Sequence, residues 1–169
     1  MTKKFEAACK YFSPKHPGEH AVYIFLLGHW SSENLGCQPD MYTSRLHKLM
    51  SDKDGPLSEY CYPLARQNRI YFVDGHQHEN KLLTPLGMRV GGQGMFDTGH
   101  FGFPVFQIIR NERNVQLLIS YINIARFAYD PLLEERFLKL RYCSKNHGII
   151  GCLDKLEFVD TWVNATAEF

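Results

Sequence analysis

Asn114-Val-Gln-Leu-Leu-Ile-Ser-Tyr-Ile-Asn-Ile-Ala-Arg-Phe-Ala128 is the stretch on which the fold turns. On a helical projection Val115, Leu118, Ile119 and Ile122 fall on one side, and Leu117, Tyr121, Ile124 and Ala128 fall on another. A side-chain oxygen of Asn111 or Asn114 suits an N-cap, since it can accept from the unsatisfied amides of a first turn. The pattern therefore predicts a helix to about Ala128, and apolar residues on both of its sides place that helix in the interior.

The flanks extend this reading. Val105 to Ile109 reads as a strand entering the segment, and Asp130-Pro131 supplies an N-cap and an N1 proline for a second helix. Glu134 and Glu135 suit the positive end of that helix dipole, and Leu133, Phe137 and Leu140 form an expected inward stripe. Arg136, Lys139, Arg141 and Lys145 read as its solvated side. Beyond it, Ile149 to Leu153 and Leu156 to Val163 predict a strand followed by another strand or a terminal helix.

Upstream, Phe5, Ala8, Cys9 and Phe12 recur at helical spacing over Thr2 to Phe12, with Pro14 and Pro17 as stops. Ala21 to Leu27 is a continuous apolar run closed by Gly28, as in a central strand buried on both faces. Asp40 caps a predicted helix carrying Tyr42, Leu46, Leu49 and Met50, ending near Asp54-Gly55-Pro56. Leu57 to Ala65 fits a short helix or an extended segment, because Pro63 opposes a long helix. Arg69 to Val73 reads as a strand running into the Asp74-Gly75 turn. The expected class is α+β: one mixed sheet of about four to five strands with flanking helices, one of them largely buried.

Composition bounds the rest. With 169 residues, 44% apolar and 22% charged, the chain is expected to fold as a single globular domain over residues 1–169. Nineteen Lys and Arg balance eighteen Asp and Glu to a net charge of +1, so no global field draws the chain to nucleic acid or to an anionic membrane. The longest apolar run is far too short to cross a bilayer. Cys9, Cys37, Cys61, Cys143 and Cys152 are odd in number and scattered, without zinc-finger spacing. They are expected to be free thiols in a reducing, cytoplasmic setting.

The candidate chemistry gathers between Asp74 and Pro104. From His76 to Pro104 lie six glycines, two prolines and three histidines, with too little periodicity for a long regular element. A loop of that length is usually functional. His76-Gln77-His78 follows a predicted strand, and in extended backbone an HxH pair points both imidazoles to one face. His100 is a third nitrogen, and Glu79 or Asp97 an oxygen, for a metal ion; without metal, His76, His78 and His100 suit acid–base catalysis near neutral pH. Arg89-Val90-Gly91-Gly92-Gln93-Gly94 fits R-x-x-G-x-G and over those six residues resembles the pyrophosphate loop of acetyltransferases that use coenzyme A. In that family the loop opens a helix, whereas here Gly99, Gly102 and Pro104 oppose one. Gly91, Gly92 and Gly94 therefore read as a tight turn or an anion nest, with Arg89 as a bidentate donor to a phosphate-bearing small molecule.

Cys37, just before the Asp40 helix, is a weaker candidate nucleophile that would need His29, His76 or His147 as base. Trp30, Trp162, Phe101 and Phe103 are expected to fill core. Serine-nucleophile, Walker, zincin and deaminase signatures are missing from the sequence, and no cofactor is implied. The expectation is a regulatory or protein-interaction module that presents the Asp74 to Pro104 segment to a protein partner. Its alternative is a small hydrolase or transferase using the loop histidines and the glycine-rich nest.

Overall fold

The computed structural model describes residues 2–12, 23–28, 52–55, 57, 59–74, 80–83, 87–90, 101–125, 127 and 129–168. The predicted Asp40 helix and Trp30 lie outside them. The elements are α1 (Thr2–Tyr11), β1 (Ile24–Gly28), α2 (Cys61–Arg66), β2 (Ile70–Asp74), β3 (Asn80–Leu83), β4 (Gly87–Val90), β5 (Phe101–Arg110), β6 (Asn114–Ala125), α3 (Leu133–His147) and β7 (Val159–Glu168). A 3-10 turn over Ile150–Cys152 follows α3.

The α+β class holds, but the single sheet does not. One sheet has four strands in the order β1-β2-β4-β3, and a second has three in the order β5-β6-β7. In the first, β1, β2 and β4 run parallel and β3 is antiparallel to β4. The second is wholly antiparallel.

The buried helix expected over Asn114 to Ala128 is instead β6, the central strand of the second sheet. Its two-sided apolar character has a physical source. Val115, Leu117 and Ile119 face the four-stranded sheet, whereas Ile122 and Ile124 join the core beneath α3. The strand thus buries one face in its first half and both faces in its second, where Ser120, Tyr121, Ile122, Ile124 and Ala125 are all buried, and a short apolar run of this kind mimics a buried helix in periodicity. Its Val, Ile and Tyr content suits a strand.

The asparagines expected to cap a helix build a hairpin turn. Asn111 Oδ1 accepts from the Arg113 and Asn114 amides at 2.9 Å each, and the Asn111 amide donates to the Asn114 carbonyl at 3.0 Å. The same side-chain-to-backbone bonding serves a cap or a turn, and here it reverses β5 into β6. Gly102, at the register shift near the start of β5, is required by close approach: a Cβ there would clash with the Ile122 carbonyl and the Tyr121 ring.

Alternation along β1 and β2 sorts their side chains between two layers. Ile24 and Ile70 face Phe5, Cys9, Leu57, Cys61 and Leu64 beneath α1 and α2. Tyr23, Phe25, Tyr71 and Val73 face Leu117, Ile119 and Val163 of the second sheet. Phe25 stacks on Tyr71 at 5.7 Å and meets Phe106 of β5 edge-on at 5.4 Å. Through the fold the order is therefore α1 and α2, the four-stranded sheet, the three-stranded sheet, and α3. The strand expected to be central at Ala21 to Leu27 is terminal among the described strands, and Leu27 is 79% exposed.

In α2, Pro63 sits in the first turn, where its missing amide costs no helical bond. α3 begins two residues later than the expected Asp130 N-cap and N1 Pro131: Leu132 is its N-cap without a side-chain cap bond, and Asp130 Oδ1 accepts from the Leu132 amide at 2.9 Å in the turn before it, while Gly148 ends the helix at φ 71°. Its expected inward stripe needs correction at Phe137, which is exposed, whereas Leu140 and Cys143 are buried. The final apolar stretch resolves into the 3-10 turn and β7.

The free-thiol expectation is overturned for four cysteines, which form Cys9–Cys61 and Cys143–Cys152 disulfides. Cys9 and Cys61 sit fully buried where α1 crosses α2, and Cys143 and Cys152 join α3 to the 3-10 turn. Disulfides persist in oxidising settings, so the argument for a reducing compartment falls with the free thiols. No helix among the described residues is long and apolar enough to cross a membrane.

Candidate functional site

Three strands of the four-stranded sheet end together at one of its edges, and Arg89 lies there. Gly28, Asp74 and Arg89 are register partners across β1, β2 and β4, so these parallel strands reach their carboxyl ends side by side. Lys81 pairs with Arg89 on the far side, and Asn80, where β3 begins, pairs with Val90, where β4 ends. The end of β2, the end of β4 and the start of β3 therefore share one edge. In sheets with parallel strands, ligands bind outside the carboxyl ends, where no crossover helix covers the strand tips.

Of the predicted residues, Arg89 is placed, on β4 between Asp74 and Lys81 in register. His76, His78, His100, Gly91, Gly92 and Gly94 lie outside the described residues, as do His29, Cys37, Glu79 and Asp97. The expectation that Asp74 to Pro104 lacks long regular structure is refined by β3 and β4, four residues each, and by β5 beginning at Phe101. Among the described residues no group of three His, Cys, Asp or Glu side chains is arranged to hold a metal ion. Trp162 stacks on Tyr121 at 4.5 Å, Phe101 is half-buried, and Phe103 is 37% exposed.

A half-buried polar group between the sheets was not singled out by the sequence. The Tyr23 hydroxyl lies 2.8 Å from the Ala165 carbonyl and 3.1 Å from that of Val115, so it donates across the gap between the sheets. Burial raises the Tyr23 pKa and pushes that of Tyr71 up to about 12, so both phenols stay protonated at neutral pH. Burial also lowers the pKa of Arg69, which stays a cation beside Tyr23. The neutral Tyr23 phenol, donating to carbonyls of β6 and β7, ties the segment before β1 to the second sheet.

No protein-family model, curated protein or solved structure matches the chain.

Proposed function

We propose that the chain is a single-domain protein-interaction module that presents the segment between Asp74 and Pro104 to a partner protein. The observation that supports this reading is the shared ending of β1, β2 and β4 at Gly28, Asp74 and Arg89, from which the histidine- and glycine-rich connections depart. A rigid sheet edge carrying long connections is the usual arrangement for recognition, since the scaffold fixes the ends while the connections vary. The two disulfides support action in an oxidising setting, where such bonds persist. Immobilised protein and its His76→Ala/His78→Ala/His100→Ala variant, with matched unfolding midpoints, test the proposal. Loss of partner capture in the variant alone supports it, and equal capture by both removes the segment from recognition.

Arg89 favours a second reading. Its place between Asp74 and Lys81 at the carboxyl edge suits a phosphate-bearing ligand held by Gly91, Gly92 and Gly94, with His76, His78 and His100 as acid–base groups of a small hydrolase or transferase. Under this reading Arg89→Ala weakens binding of orthophosphate, nucleotides or acyl carriers while leaving stability unchanged. A screen in which none of these ligands binds the native protein discards it.

A further inference from the structure

The outward side of α3 carries large apolar groups on a helix that is otherwise firmly held. Leu140 and Cys143 are buried beneath it, and the Cys143–Cys152 disulfide anchors its last turns. Lys139 pairs with Glu135 at 2.9 Å and with Glu157 at 2.6 Å along one flank. Arg136 lies over the Phe158 ring at 5.6 Å. Yet Phe137 is 53%, Leu138 51% and Tyr142 75% exposed. Glu134, Arg141 and Lys145 are exposed on the same side.

Glu134, Leu138, Arg141 and Lys145 follow one another at spacings of four, three and four residues, which is a straight seam along a helix. Phe137 and Tyr142 flank it on opposite sides. The seam is complementary to itself in reverse. When a second α3 is laid antiparallel about a two-fold axis through the middle of the seam, Glu134 falls level with Lys145 of the copy and Leu138 falls level with Arg141. Arg141 also comes within one helical turn of the copy's Glu134. Both acids then face cations, the leucines lie along arginine stems, and the flanking rings close the two sides as a Phe137 pair and a Tyr142 pair.

The geometry points to a second copy of this chain as the occupant of this face, forming a two-fold dimer through antiparallel α3 helices. A two-fold interface must be self-complementary, and the order acid, apolar, cation, cation along this seam meets that demand. A different acidic partner would satisfy Arg141 and Lys145 but would leave Glu134 facing like charge. The inference is independent of the sheet-edge reading, since it uses no residue between Asp74 and Pro104.

Sedimentation velocity of the full chain over a concentration series tests it. The native chain is expected to pass from monomer to dimer as concentration rises, more weakly in high salt. Glu134→Lys and Lys145→Glu should each weaken the dimer at least tenfold by placing like charges level with each other. The Glu134→Lys/Lys145→Glu double variant should restore it, because the swapped charges face each other again, and this rescue separates pairing from misfolding. Leu138→Lys should abolish it, because it sets a cation level with the copy's Arg141. A chain that stays monomeric at hundreds of micromolar overturns the proposal, as does a dimer whose affinity ignores the single charge reversals.

Discussion

Removing the Cys9–Cys61 bridge by Cys9→Ala/Cys61→Ala is expected to destabilise the protein more than removing Cys143–Cys152 by Cys143→Ala/Cys152→Ala. The first joins residues 52 apart in sequence and the second residues nine apart. A cross-link restricts the unfolded chain in proportion to the logarithm of the loop it closes, which gives about 4 kcal/mol for the longer loop and about 2.6 kcal/mol for the shorter. For a chain of this size those values correspond to falls in Tm of roughly 8–16 °C and 5–10 °C. The longer bridge loses more for a second reason. Cys9 and Cys61 are fully buried among Phe5, Leu57 and Leu64, so alanines there also leave a cavity between α1, α2 and β2. Calorimetry of both double variants supplies the assay, with thiol alkylation of unreduced, denatured protein as its control. Five cysteines less the four in bridges leave one alkylated site. Five alkylated sites, or midpoints unchanged in both variants, would refute the reasoning.

Further outcomes follow from the core and the turns. Ile119→Ala and Ile122→Ala, both at fully buried positions, should each cost ~2–5 kcal/mol in denaturant unfolding, with a neutral result excluding β6 from the core. Lys139→Ala, whose partners are exposed, should leave the midpoint nearly unchanged. Asn111→Ala should cost about 1–2 kcal/mol, because it removes the acceptor shared by the Arg113 and Asn114 amides in the β5–β6 turn. Tyr71 makes stability depend on alkaline pH. Its folded pKa, raised by burial from 10.0 to about 12, means that the stabilisation is complete below pH 10 and is lost as pH rises towards 12. The fall amounts to about 1.4 kcal/mol per pH unit across that window. It should be absent in Tyr71→Phe once the smaller contribution of Tyr23, shifted in the same direction, is subtracted.

How much was legible follows the range of the interactions. α1 and β2 were readable because their signals are local: period and stops for one, a branched and aromatic run ending in Asp74-Gly75 for the other. The start of α3 was readable to within two residues, since the Asp130 side chain bonds the Leu132 amide in the turn before the helix and does not cap its first turn. β6 reads as a helix because it is buried on one face in its first half and on both in its second, an outcome set by two different neighbours that a single-chain pattern does not reveal. The division into two sheets was hidden for the same reason, since it depends on which strands pair. The disulfides were hidden because separations of 52 and nine residues match no spacing rule, and proximity comes from the packing of α1 on α2 and of α3 on its following turn. For the candidate site, the sequence offered the segment after β2, and the strand register added what no sequence shows: Asp74, Arg89 and Gly28 end at one edge. Phe137 illustrates the converse, an apolar residue placed inward by periodicity that stands exposed on the outward side of α3.

The central claim is that recognition occurs at the carboxyl edge of the parallel strands, through the residues that follow Asp74 and Arg89. Site-specific photo-crosslinking in an extract of the native source tests it most directly, with the photoreactive residue placed at His78, at Gln93 or, as a control, at Glu112 on the exposed β5–β6 turn. The account predicts one defined protein adduct from His78 and Gln93 and none from Glu112. Adducts from all three positions alike, or none from His78 and Gln93, would contradict it.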